Sequence, residues 1–73
     1  MRPATVPQVL KAIARNTRTI RTGMKISQEE AAHRAGMVPR LWQRVENGDP
    51  ITIKTLVAVA GVLGVEPADL LRR

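Results

Sequence analysis

Apolar residues recur along this chain at the three- and four-residue spacing of helices, in blocks separated by Gly, Pro and short polar runs. The first block has Val9, Leu10, Ile13 and Ile20 on one stripe, with Thr17 interrupting it. Thr5 and Gln8 make a capping box and Pro7 suits a first turn, so a helix is expected from about Val6 to Thr22. Residues 1–4 lie outside it and are expected to be unstructured. The second block opens on Ser27 and Glu30, an S-x-x-E capping box, continues through Ala31, Ala32 and Ala35, and stops at Gly36. A third helix starts at Pro39 and runs to about Asn47, where Gly48 ends it.

The fourth block, about Ile53 to Leu63, differs in kind. Ile53, Leu56, Val57, Ala60 and Leu63 form the expected core face, yet Leu56 to Val65 contains no polar side chain at all. A helix that is apolar all round is expected to be covered on more than one side. Pro67 opens a last short helix to about Leu71, and Arg72 and Arg73 suit its C-terminal dipole. The pattern predicts an all-α fold, a compact five-helix bundle in a single domain spanning residues 1–73.

The third helix sorts its side chains most sharply. With Pro39 at zero and about 100° per residue, Pro39, Gln43, Asn47, Arg40 and Arg44 fall within about 0–140°. Leu41, Val45, Val38 and Trp42 fall within about 200–300°. Arg, Gln and Asn are the side chains that can fork onto guanine or adenine edges in a major groove. Taken alone this is an ordinary amphipathic surface helix. The capped helix and Gly turn before it complete a helix-turn-helix over residues 27–48.

Composition narrows the function. The chain has 73 residues, no Cys and one His, which leaves no basis for a disulfide, a thiolate metal site or a His-based triad. No nucleophile–base pair, carboxylate dyad or Gly-rich phosphate loop is present, so no enzyme activity is expected, and no cofactor, metal or small-molecule ligand. No apolar run approaches the roughly 18 residues of a membrane span, and a cytoplasmic protein is expected. Net charge is +6, distributed unevenly. Residues 1–44 carry nine basic and two acidic side chains, residues 45–73 three and four. A polyanion is the natural partner for the basic part. A basic membrane-surface helix would need aromatic anchors, and Trp42 is the single aromatic residue.

The residues Ser27-Gln28-Glu29-Glu30, Ala32, Ala35-Gly36, Arg44 and Glu46-Asn47-Gly48 resemble the Cro/C1-type helix-turn-helix family, the phage-repressor-like domains of phage and bacterial regulators. Arg21, the run Ile53…Leu56…Ala60…Leu63-Gly64-Val65 and Leu70-Leu71 extend the likeness to about residues 9–71. The resemblance implies a lambda-repressor-like fold and a transcriptional regulator bound to a double-stranded DNA operator. It implies base reading by Arg40, Gln43 and Arg44, with Pro39 on the same arc. Phosphate contacts are implied at Ser27, Gln28, Asn47, Thr52 and Lys54. The resemblance also implies a structural ion pair between Arg21 and Glu46, which the wheel places at the border of the two faces. Apart from the resemblance, Lys11, Arg15 and Arg18 lie on the outside of the first helix at helical spacing, either as a solvated face or in support at phosphates.

The chain departs from the family at informative places. Val38 stands where Ser or Thr usually caps the recognition helix, a change costing about 1 kcal/mol. Pro39 replaces a residue that often reads a base, and Trp42 stands where Ile is commonest, pointing inward as a core anchor. Thr17 takes the place of a core Leu, and Asp49 is a poor neighbour for phosphates. Ala58, Gly61, Val62 and Val65 are expected to form an apolar strip that the intramolecular core leaves bare, and so to join a weak homodimer on DNA. A competing reading uses this apolar surface in an antitoxin-like protein-interaction module.

Overall fold

The computed structural model describes residues 2–73; of the N-terminal segment expected to be unstructured, Met1 lies outside the described residues and Arg2 to Ala4 carry no regular secondary structure. Five helices follow in order: α1 (Val6–Gly23), α2 (Gln28–Arg34), α3 (Pro39–Glu46), α4 (Ile53–Leu63) and α5 (Pro67–Leu70). They form an all-helical bundle in which α2 packs on α3 and α1 crosses α3, α4 and α5.

Local chemistry sets most of the helix ends. The Thr5–Gln8 box closes both ways, with the Gln8 N–H donating to Thr5 Oγ1 at 3.3 Å and the Thr5 N–H donating to Gln8 Oε1 at 3.0 Å. The box expected at Ser27 is only half made. Its hydroxyl accepts the Glu30 N–H at 3.0 Å, but the Glu30 carboxylate turns forward to Arg34 Nε at 2.9 Å, one turn along α2. The end of α1 also differs from expectation. Gly23 is absorbed into the last turn, and the left-handed position after it is taken by Lys25, with φ 60°.

The core gathers Ile13, Ala31, Ala32, Trp42, Val45, Leu56, Val59, Ala60, Leu63 and Leu70. Ala31 and Ala32 have no side chain beyond Cβ, which lets α2 lie close against its neighbours. Thr17 is wholly buried at 0% exposure, and its Oγ1 has no hydrogen-bond partner among the described residues.

On α4 the core face is turned from the expected one. Leu56, Val59, Ala60 and Leu63 are buried, whereas Ile53 is 74% exposed and Val57 52% exposed. The buried set follows i, i+3, i+4, i+7, which rotates the arc by about 50° from the one the sequence suggested. Thr52 caps α4 by accepting the Thr55 N–H at 3.1 Å, and Ile53 follows as the first helical residue. The strip expected to be bare is corrected accordingly. Val62 and Val65 pack partly buried against the core, and Ala58 is half-buried. Of that set only Gly61 is exposed, and the bare apolar line runs Ile53–Val57–Gly61.

Candidate nucleic-acid interface

The turn between α2 and α3 is built on Gly36. At φ 70° it lets the Gly36 N–H reach the His33 carbonyl at 3.1 Å and the Met37 N–H reach the Ala32 carbonyl at 3.0 Å. These two bonds satisfy the last carbonyls of α2 and redirect the chain into α3. Val38 sits at the N-cap of α3 without a side-chain cap bond, as its lack of a polar atom requires.

α3 presents the two faces that the wheel separated. Trp42, Val45 and Glu46 are buried, and Leu41 is half-buried. Pro39, Arg40, Gln43, Arg44 and Asn47 are all exposed, and they lie on the opposite side. Ser27, Thr52 and Lys54 are exposed at the neighbouring helix starts. The hydroxyls of Ser27 and Thr52 are each engaged as caps, so a phosphate there would share them with a backbone N–H.

Behind the polar face lies one carboxylate. Glu46 is 1% exposed, deeper than the border position suggested by its place on the wheel. Its Oε2 accepts from Arg21 Nε at 2.6 Å and from Trp42 Nε1 at 2.6 Å. Its Oε1 accepts from Arg21 Nη2 at 3.0 Å and from Gln28 Nε2 at 3.0 Å. Arg21 also donates through Nη1 to the Ile26 carbonyl at 2.9 Å, tying in the loop before α2. Three helices therefore converge on the last residue of α3.

Burial alone would push the Glu46 carboxyl up. The hydrogen bonds from Arg21, Trp42 and Gln28, with the Arg21 charge, outweigh it and hold the carboxyl below its ordinary value. The hydrogen bond to Glu46 raises Arg21 in turn, against a smaller desolvation. Removing Arg21 would leave this charge buried without its counter-ion, a costly change that favours the observed geometry.

Several contacts had weaker signals in the sequence. Trp42 and Glu46 are four residues apart, one helical turn, and a buried indole N–H needs an acceptor, so this pair was readable in principle. Arg18 was open to two readings, a solvated charge or a support at phosphates. Its Nη2 instead donates to the Glu46 carbonyl at 2.7 Å, capping the C-terminal end of α3. Gln28, expected at a phosphate, is half-buried with its amide nitrogen on Glu46, which leaves its second amide hydrogen for any outside acceptor. Arg15, expected in support at phosphates, is exposed, and its Nη2 donates to the carbonyls of Arg72 and Arg73 at 3.0 and 3.3 Å. Asn16 joins it on the Leu70 and Arg72 carbonyls at 2.9 and 2.8 Å, so this part of α1 holds the segment after α5.

A family model described as helix-turn-helix matches residues 18–70, from Arg18 through the last buried leucine. The crystal structure of a hypothetical transcription factor, NHTF, from Neisseria superposes with a TM-score of 0.82 at 28% identity, covering 97% of this chain and 84% of that one. No curated protein sequence matches. The chain belongs to the Cro/C1-type helix-turn-helix family.

Proposed function

We propose that this protein is a sequence-specific transcriptional regulator of the Cro-type repressor kind, placing α3 in the major groove of double-stranded DNA. The observation that carries the reading is the backing of α3. Its outward face bears Arg40, Gln43, Arg44 and Asn47, and its inward face is fixed by a buried, multiply bonded carboxylate. A reading helix gains specificity from such fixing, since forked contacts to base edges depend on donors already held in place. The helix-turn-helix family and the transcription-factor neighbour support the coarser part of this reading, a DNA-binding regulator.

Arg40 and Arg44 read bases, supported by Gln43, while Asn47, Thr52 and Lys54 hold the backbone register. One recognition helix reads few base pairs, and a twofold homodimer doubles the readout. The bare line Ile53–Val57–Gly61 is the surface for that pairing on DNA.

In vitro selection of bound duplexes, repeated with Arg40→Ala and Arg44→Ala, tests the assignment. Each variant is expected to lose about 1–3 kcal/mol at one or two base pairs. If both retain the parent's full preference over random DNA, α3 is not the reader.

A further inference from the structure

Asp49 is an acid in a segment that the proposed function sets against phosphates, where its charge weakens attraction to any duplex. Its backbone is nonetheless placed with care. Gly48, at φ 81°, allows its own N–H to reach the Val45 carbonyl at 3.2 Å and the Asp49 N–H to reach the Arg44 carbonyl at 3.1 Å. The requirement for glycine is one of backbone angle, because a Cβ there would meet nothing nearer than the Leu10 carbonyl oxygen at 3.9 Å. This paired turn folds Asp49 back over the residue whose carbonyl it bonds. Its carboxylate then faces the same residue's side chain, with Oδ2 3.7 Å from Arg44 Nε.

The side of approach matters. Arg44 meets the carboxylate through Nε, and its two terminal amino groups have no hydrogen-bond partner among the described residues. Guanine presents two acceptors, N7 and O6, to one guanidinium fork. An arginine held near Nε offers its terminal pair to that fork, and fewer rotamers compete with the reading one. Arg40, on the same face, has no acidic partner within ion-pair distance among the described residues.

We propose that Asp49 is a positioning residue for base reading: the turn at Gly48 sets its carboxylate against Arg44 Nε, which aims the terminal amino groups of Arg44 at guanine. The proposal rests on the DNA-reading function above. As an exposed pair in free protein it contributes little stability. Its effect appears on the duplex, where excluded water strengthens the attraction and the aimed fork meets its base. An acid in this position therefore trades general attraction to DNA for discrimination between sequences.

The full chain is compared with Asp49→Ala and Asp49→Asn on the selected duplex, on single-base variants of it and on random duplex. Thermal unfolding of each variant confirms an intact fold, and Arg40→Ala and Arg44→Ala identify which base pair each arginine reads. Removing the acid is expected to tighten binding to random duplex about twofold to threefold. Preference at the Arg44 base pair is expected to fall about threefold to tenfold, with preference at the Arg40 pair unchanged. Asp49→Asn, which keeps an acceptor oxygen without the charge, should fall between parent and Asp49→Ala. In the free protein, the Arg44 Nε–H resonance should move in Asp49→Ala while that of Arg40 stays. Uniform tightening on every duplex, with preference at the Arg44 pair intact, overturns the role of Asp49 and leaves the DNA-reading function standing. A static Arg44 resonance shows that the two side chains do not meet and overturns it without reference to DNA. A parent chain that prefers no sequence overturns the reading function and this role together.

Discussion

Thr17 shows what a single side chain does to this small core. Its hydroxyl is fully buried and unpaired, although a helical Thr can bond the carbonyl one turn back. Thr17→Val keeps the shape and removes the stranded polar atom, so it is expected to stabilise the fold by about 1 kcal/mol. A urea midpoint below that of the parent would show the hydroxyl to be satisfied in solution. Glu46 is the opposite case, a buried charge with every oxygen occupied. Ala at Arg21 and Gln at Glu46, combined in a double-mutant cycle, should show coupling well above about 0.5 kcal/mol in unfolding. Because the folded carboxyl titrates below its ordinary value of 4.5, its contribution is complete above that pH. It is lost as pH falls through the lower folded value, and Glu46→Gln should lack this acid-side loss. The Arg21–Glu46 meeting was legible from family likeness. The Trp42 bond lies within one turn of α3 and was readable in principle; the parts played by Gln28 and Arg18 were not, since each depends on where α1 and α2 pack against α3.

At the scale of elements, helix count and most ends followed from caps and glycines, which act within four residues and need no tertiary knowledge. The face of α4 did not. Between Leu56 and Val65 every position is apolar or glycine, so periodicity carries no phase information there. The phase is set by packing against α1 and α5. Two substitutions separate the corrected face from the expected one. Val57→Glu adds a charge to the exposed line and should leave thermal unfolding nearly unchanged while abolishing cooperative binding to a palindromic site. Val62→Glu buries a charge against the core and should lower stability by at least about 2 kcal/mol. If Val57→Glu binds such a site as the parent does, the twofold joint lies elsewhere or does not exist.

For the molecule as a whole, the proposed function sets the exposed arc of α3 against a polyanion. Binding to any duplex should weaken steeply with salt, and Lys54→Ala should reduce the slope of log K against log salt by about one. Asn47→Ala, which removes no charge, should leave that slope alone while weakening all duplexes alike. A selective loss at one base pair in Asn47→Ala would move that residue from backbone holding to base reading. What composition could not reveal was how many of the arginines tie the helices to one another. Arg15, Arg18 and Arg21 all contribute to the net +6, yet each is bonded to carbonyls or a carboxylate of the same chain.

Trp42 has a practical consequence of another kind. It is the single fluorophore of the chain, it is fully buried, and its indole N–H is bonded to the carboxylate on which three helices converge. Its emission colour thus reports directly on whether α3 is seated, without a label and without a chromophore on the face turned outward. Loosening of the Glu46 cluster by acid, by denaturant or by substitution should shift that emission to the red as water reaches the ring. A ligand settling on the far side of α3 should leave it almost still, so one cuvette measurement separates damage to the scaffold from occupation of the surface.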